Sequence, residues 1–129
     1  MARKTVSSVD GGGRVRVPQA MMDALNVQSG EGVLFSLDPK NKSITIVPAR
    51  AKKLLHLEAS ISDSPGALAK AAGALAGLGA DLVFTQSHSL VRGEAATWIV
   101  DCNPGKATVQ QIRAALAKAG ANLVKAHWE

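Results

Sequence analysis

Disulfides, long apolar runs and aromatic rings are scarce in this sequence of 129 residues. Cys102 is the single cysteine, so no disulfide can form within the chain. A chain of this kind is typical of a reducing compartment. No apolar run approaches the length of a membrane span, and no apolar signal segment follows Met1. We therefore expect a soluble, cytoplasmic protein that does not contact a membrane.

The few aromatic residues limit how a core can be built. The chain has two Phe, two Trp and no Tyr, so its interior must consist of Val, Leu, Ile and Ala. Small domains of this kind bury a modest fraction of their surface and often associate with a partner chain. We expect a homodimer or a higher homo-oligomer.

Positive charge is concentrated in the first part of the chain. Residues 1–53 hold nine Lys and Arg against four Asp and Glu, a net charge of +5, whereas residues 54–129 hold six of each sign. A basic module beside a neutral one predicts that the first meets a polyanion such as double-stranded DNA. A solvated basic surface would give the same composition.

The first 50 residues alternate short β-like and helical patterns around glycine-rich turns. Pro18 suits the start of a helix, and Asp38-Pro39-Lys40-Asn41-Lys42 is a strong turn signal between two strands. About 45 residues in this order cannot close a core of their own. The predicted elements are strands at 5–9 and 14–17, a helix at 18–25, and strands at 33–37 and 43–47.

The run Gly13-Arg14-Val15-Arg16-Val17-Pro18, with Ile44 to Pro48 at the end of the segment, resembles the AbrB/SpoVT swapped-hairpin DNA-binding domain. The resemblance covers residues 4–49. It implies a mostly-β dimer in which two chains exchange hairpins, and arginines on one face that meet DNA. The predicted DNA-binding domain is residues 1–50.

The resemblance does not extend to every basic position of that family. Ser7 and Ser8 stand where a basic pair is often found, and Met22 and Asp23 stand at the basic positions of the short helix. DNA contact is therefore expected to rest on other side chains, which would give salt-sensitive phosphate binding. These residues are Arg3, Lys4, Arg14 and Arg16.

Residues 54–129 follow a different pattern, beyond a small, basic linker at 49–53. Strand and helix signals alternate in the order βαββαβ, which predicts an α+β ferredoxin-like fold. Thr108 and Gln111 have the spacing of a capping box at the start of the second helix. Gly79 and Gly120 are expected to end the two helices.

The turn between the first strand of this segment and its helix has features of an anion site. Ser64 is a good N-cap residue, and Pro65 fits the first helical position. The backbone N–H groups around Gly66 would then lie at a helix N-terminus, which favours a small anion such as a carboxylate. An ordinary strand-turn-helix corner is the alternative interpretation.

The same turn, followed by Gly79-Ala80-Asp81-Leu82 at the second strand, resembles the ACT domain family over residues 54–128. ACT domains usually pair side by side and bind small effectors, typically amino acids, between them, although some only dimerise. The resemblance implies that Asp63 could accept a hydrogen bond from an ammonium group and that Asp81 would favour a cationic one. The implied ligand-binding residues are Asp63, Ser64, Pro65, Gly66, Ala67, Leu68, Asp81 and Leu82.

Other residues do not form a recognisable catalytic or metal motif. The spacings of His56, His88, His127 and Cys102 match no metal motif, and we expect strands to scatter them over both faces. No nucleophile is accompanied by an evident base. We therefore expect no enzyme activity, metal or cofactor.

These observations together favour a transcription regulator that binds DNA through its first module and senses an amino acid or a similar metabolite through its second. Two alternatives remain at this stage. One is a protein that does not bind DNA, either an antitoxin-like partner or an enzyme-regulatory ACT subunit. The other is an oligomeric amino-acid binder without regulatory output, which would leave the basic segment unexplained.

Overall fold

The computed structural model describes residues 4–129, and the chain divides into two compact units. The boundary lies between Arg50 and Ala51, within the segment 49–53 that the sequence indicates as a linker. We call residues up to Arg50 the N-terminal unit and residues from Ala51 onward the C-terminal unit.

The described residues form a mixed α/β protein with three helices and six strands in two antiparallel sheets. The N-terminal unit holds α1 (Gln19–Leu25), β1 (Val33–Asp38) and β2 (Ser43–Pro48). The C-terminal unit holds β3 (Leu55–Ser62), α2 (Ala67–Gly77), β4 (Asp81–Val91), β5 (Ala95–Asn103), α3 (Val109–Lys118) and β6 (Asn122–Trp128). No helix within residues 4–129 has both the length and the apolar character needed to cross a membrane.

In the N-terminal unit, β1 and β2 form the predicted hairpin. Asp38 organises its turn, since its carboxylate accepts hydrogen bonds from the backbone N–H and the side-chain amide of Asn41, at 3.3 and 2.8 Å. The helix α1 begins at Gln19, one residue after the predicted start at Pro18, which is its N-cap residue. It ends at Leu25 as predicted, and Asn26 adopts the left-handed conformation of a C-cap.

The two strands predicted at 5–9 and 14–17 are not part of a sheet in the single chain. Both segments are free of regular secondary structure, although a tight turn joins them. The Asp10 carboxylate accepts hydrogen bonds from the N–H groups of Gly12 and Arg14, at 2.8 and 2.9 Å. Alternating sequence favours a strand only where another strand can pair with it, and within this chain none does so for the described residues.

The N-terminal unit has almost no core of its own. Among its described residues only Val27 and Ala49 are buried. Large apolar side chains instead face solvent, and Val6 is 98% exposed. The exposed set is Val6, Val9, Val15, Leu25, Phe35, Leu37 and Ile44.

The C-terminal unit follows the βαββαβ order predicted from the sequence. Its four-stranded antiparallel sheet has the spatial order β4-β5-β3-β6, so the first and last strands of the unit are neighbours. The pairing of β3 with β6 is extended by a hydrogen bond in which the Glu129 N–H donates to the Leu54 carbonyl, at 2.9 Å.

One face of this sheet is covered by both helices. Trp98 and Leu57 from the sheet pack with Leu75 of α2 and with Ile112 and Leu116 of α3, and all five are at most 2% exposed. At about 25 cal/mol per Å² of apolar surface removed from water, this core is the main stabilising contribution of the unit. We call the opposite face, which carries His56 and Asp101, the open face.

The helix α3 begins as the sequence predicts. The Thr108 hydroxyl accepts from the Gln111 N–H at 3.1 Å, and the Gln111 side chain accepts from the Thr108 N–H at 2.9 Å, which completes a capping box. Gly120 follows the helix with a positive φ of 84°, a conformation that glycine adopts without strain.

Candidate functional site

The described basic residues that are predicted to contact DNA lie on the two extended segments at the start of the N-terminal unit. Lys4, Arg14 and Arg16 are all exposed, whereas Arg3 lies outside the described residues. Arg14 approaches Asp10 only at 4.0 Å, and its side chain is 86% exposed, so this ion pair contributes little. The guanidinium groups of Arg14 and Arg16 therefore remain available to an external anion.

The helix α2 is expected to begin at Pro65, but it begins two residues later, at Ala67. Gly66 occupies the N-cap position with a φ of 86°, and no side chain caps α2. The predicted N-cap Ser64 and first helical residue Pro65 therefore both lie in a turn that precedes the helix, where the Ser64 carbonyl accepts from the Ala67 N–H at 3.2 Å. The prediction was wrong because the glycine can adopt a left-handed conformation that the Ser-Pro pair cannot supply.

The late start leaves the N-terminus of α2 open to solvent. Ser64, Pro65 and Gly66 are all exposed, and Leu68 is 40% exposed. The first turn of the helix contains no acidic residue, so no carboxylate of its own neutralises the positive end of the helix dipole. An uncapped helix N-terminus of this kind favours a small anion in general.

Asp63 has a structural role that the sequence analysis missed. Its Oδ2 accepts hydrogen bonds from the Gly93 N–H at 2.8 Å and from the Ser89 hydroxyl at 3.1 Å. Its own N–H donates to the Glu94 carbonyl at 3.3 Å. Asp63 thus fastens the turn before α2 to the tip of the β4–β5 hairpin, and one of its oxygens is already engaged.

The two parts of the implied ligand site do not come together within one chain. The turn at 63–66 follows Ser62, which pairs with Ala95 at one end of β5, whereas Asp81 pairs with Asn103 at the other end. About 25 Å of strand separates these positions. Asp81 and Leu82 can therefore contribute to the same site as Gly66 only if a second chain brings them there.

A group of ionisable side chains occupies the open face of the C-terminal sheet. His56 Nδ1 lies 2.9 Å from Asp101 Oδ1 and 3.5 Å from Glu129 Oε1, and His56 Nε2 lies 3.0 Å from Glu58 Oε2. The rings of His56 and His127 are neighbours, with centroids 4.7 Å apart. We call these five residues the open-face cluster.

The environment of the open-face cluster perturbs its protonation. Burial alone would lower the pKa of His56, but hydrogen bonds to Asp101 and Glu58 outweigh it and raise that pKa above its ordinary value. Burial raises the pKa of Glu129, and its hydrogen bond with Asp101 adds to the shift. Both shifts favour the protonated forms of His56 and Glu129.

Of the four residues expected on both faces of the sheet, Cys102 lies on the face covered by the helices, whereas all three histidines lie on the open face. Register places His56 opposite His127 on the open face, and His88 lies opposite Thr97 on that same face. Alternation in the sequence places His56 on the same face as Glu58, and His127 on the same face as Glu129, but it does not show that the two pairs share one face.

Cys102 is fully buried, so it cannot serve as an accessible nucleophile or ligand. Burial raises the pKa of the thiol to about 11, and the charges of Asp101 and Asp81 add to the shift. The side chain belongs to the hydrophobic core of the C-terminal unit.

Comparison with known proteins adds no assignment to this geometry. A scan of the sequence against family models returns no match, and neither does a search of curated proteins.

Proposed function

We propose that this protein is a DNA-binding transcription regulator whose C-terminal unit senses a small effector with a carboxylate, such as an amino acid. In this proposal the N-terminal units of two chains form an AbrB/SpoVT-like swapped-hairpin dimer, and the C-terminal unit is an ACT domain with the ferredoxin-like topology. The resemblances in the sequence are the starting point, and the geometry supports them as follows.

The observation that carries the proposal is the alternation of Arg14, Val15, Arg16 and Val17, in which both arginines and Val15 are exposed. Val15 is 55% exposed in the single chain, next to two arginines that are free of strong partners. Burying such apolar side chains against a second chain would offset the missing core. The arginines would then be held in place on the outside of the dimer, where they can meet phosphates.

The effector half of the proposal rests on the open N-terminus of α2. The N–H groups there would bind the effector's carboxylate, and a second chain would supply Asp81 to hold a cationic group. Because the site would be complete only between two chains, effector binding would favour one arrangement of the pair over another. That difference in affinity is what regulation requires.

Binding to duplex DNA from upstream of the gene, followed by fluorescence anisotropy, tests the proposal. We expect salt-dependent binding that weakens steeply between about 50 and 200 mM salt and that shifts when a mixed amino-acid pool is added. Arg14→Gln with Arg16→Gln should weaken binding and reduce the salt slope by up to about four in a dimer, one for each lost phosphate contact. Lys40→Gln with Lys42→Gln removes the same charge from the β1–β2 turn of the same unit, and its effect should be smaller.

Two results would contradict the proposal in different ways. Absence of binding at either salt concentration would exclude the DNA-binding function. Binding that ignores the amino-acid pool would retain that function and reduce the C-terminal unit to an assembly module.

A second candidate is a protein that associates with another protein and not with DNA. Two observations favour it: Ser7 and Ser8 are not basic, and the exposed apolar residues of the N-terminal unit would also suit a protein partner. If the arginine and the lysine double variants weaken DNA binding equally, the binding depends on net charge alone and not on a specific DNA-contacting face. That result would favour this candidate.

A further inference from the structure

The open-face cluster brings two imidazoles and three carboxylates together at the end of the sheet where β3 begins and β6 ends. We propose that this cluster binds a divalent first-row transition metal such as Zn²⁺, with His56, Asp101 and Glu129 as ligands. This site is distinct from the turn at 63–66, and the inference does not rest on DNA binding or effector sensing.

The spacing of the ligand atoms fits a metal ion. One ligand atom from each of His56, Asp101 and Glu129 lies within 4.8 Å of the other two, and His56 Nδ1 is 2.9 Å from Asp101 Oδ1 and 3.5 Å from Glu129 Oε1. Tetrahedral ligands bound at about 2.0–2.2 Å are separated by roughly 3.3–3.6 Å. Shifts of a few tenths of an ångström at His56 and Asp101 would therefore admit the ion.

The second nitrogen of His56 is already oriented as metal-binding histidines require. A histidine that binds a metal usually donates its other N–H to a carboxylate, which fixes the tautomer and the orientation of the ring. His56 Nε2 lies 3.0 Å from Glu58 Oε2, so Nε2–H can donate to Glu58 while Nδ1 faces Asp101 and Glu129. Lys125 approaches Glu58 at 3.8 Å and balances its charge. Glu58 is thus a positioning residue in this proposal.

The charge of the cluster also favours a cation. Asp101 is only 6% exposed, and it lies close to Glu129 as well as to His56. Two carboxylates at this distance repel each other unless a proton or another positive charge lies between them. A divalent ion would satisfy both carboxylates and leave the His56 ring neutral.

The donor set indicates which metals the cluster would select. Imidazole nitrogen together with carboxylate oxygen suits Zn²⁺ and its first-row neighbours, whereas Mg²⁺ and Ca²⁺ prefer oxygen alone. His127 Nε2 lies 3.8 Å from Glu129 Oε1 but is outside the group of three ligand atoms that lie within 4.8 Å of one another, so water would complete the coordination.

Cobalt binding to the untagged, full-length protein tests the proposal, because four-coordinate Co²⁺ has intense visible absorption bands and replaces Zn²⁺ in most sites. We expect one Co²⁺ per chain, displacement by Zn²⁺, and a rise in the melting temperature in the presence of either ion. Asp101→Asn and Glu129→Gln should each weaken binding by at least about ten-fold, and Glu58→Gln by about 10- to 100-fold. His88→Gln, an exposed histidine on the same sheet face, should leave affinity and spectrum unchanged.

The variants keep the test decisive even if one of them misfolds. Glu129 is only partly buried, so Glu129→Gln should fold even if the buried Asp101→Asn variant does not, and circular dichroism would show the difference. Failure to take up Co²⁺ at about 1 mM, or binding that is unaffected by Glu129→Gln, would overturn the proposal. A proton on His56 would then be the positive charge that holds the carboxylates together.

Discussion

The two units of this chain differ in how much of their apolar surface they bury within a single chain. The C-terminal unit closes a core within one chain, around Trp98, Leu75 and Ile112, whereas the N-terminal unit buries only Val27 and Ala49 among its described residues. The difference follows from the order of the elements. Two helices of ten or more residues can cover a four-stranded sheet, but a single helix of seven residues cannot cover a hairpin and two extended segments.

The largest expected effect concerns the closed core. Leu75→Ala should lower the free energy of unfolding of the C-terminal unit by about 2–5 kcal/mol, because Leu75 is fully buried and its loss leaves a cavity. Urea unfolding followed by tryptophan fluorescence measures this, since both tryptophans lie in this unit. The loss should be the same at two protein concentrations. A loss that shrinks as concentration rises would mean that a second chain also supports this core.

In the N-terminal unit the corresponding change should act on association. Val15→Asp should weaken the pairing of chains by about ten-fold or more, because burying a valine is worth about 1.5–3 kcal/mol. Sedimentation at several protein concentrations measures this. Ser8→Asp adds the same charge to the same extended region without removing an apolar side chain, and it should have a smaller effect. Equal association of both variants and the unchanged protein would show that Val15 is not covered by another chain.

A smaller effect is expected where the turn before α2 is fastened to the β4–β5 hairpin. Asp63→Ala removes the acceptor of the Ser89 and Gly93 hydrogen bonds, and it should cost about 1–3 kcal/mol. Faster hydrogen exchange at the Gly93 amide should accompany the loss. Unchanged exchange there would mean that the hairpin tip is held by its backbone bonds alone.

The smallest effects compare the starts of the two long helices. Thr108→Ala breaks the capping box and should cost about 1 kcal/mol. Ser64→Ala should cost much less, since among the described residues the Ser64 hydroxyl bonds only to Ser62 and does not cap α2. Thermal unfolding of both variants measures the difference, and equal losses would contradict the assignment of Gly66 as the N-cap residue.

Local signals predicted most of the elements of the C-terminal unit. The capping box, the two helix-ending glycines and the alternation in β3 each concern residues close in sequence, and all are present as expected. The prediction of Ser64 as the N-cap residue of α2 was wrong because Gly66, two residues later, is a competing N-cap residue. The glycine prevails since only it tolerates a φ of 86° without strain.

The candidate metal cluster could not be predicted from alternation alone. A β-bulge at Val124 shifts the register of β6, so Leu123 faces the helices while Lys125 and His127 face the other side. A second irregularity, between Leu82 and Phe84, shifts the register of β4, so that His88 also lies on the open face. A bulge reverses the face of every residue that follows it, and nothing in the local pattern marks where it occurs.

In the N-terminal unit the local strand pattern is clear, but the described residues include no strand that pairs with it. Residues 14–17 alternate as a strand should, and yet no strand pairs with them within the described residues. Sequence periodicity indicates which face of an element would be buried, and the described part of the chain supplies no strand that pairs with this one.

The neighbouring positions of β3 and β6 have a mechanical consequence. Because Glu129 bonds to Leu54, the beginning and the end of the C-terminal unit emerge side by side from one corner of the sheet. A force applied between these two points would peel the β3–β6 ladder apart one bond at a time, which resists far less than shearing whole strands. The same closeness means that a short linker from residue 129 to residue 54, with a new opening at the turn after Val91, would yield a circular permutant that retains the whole core.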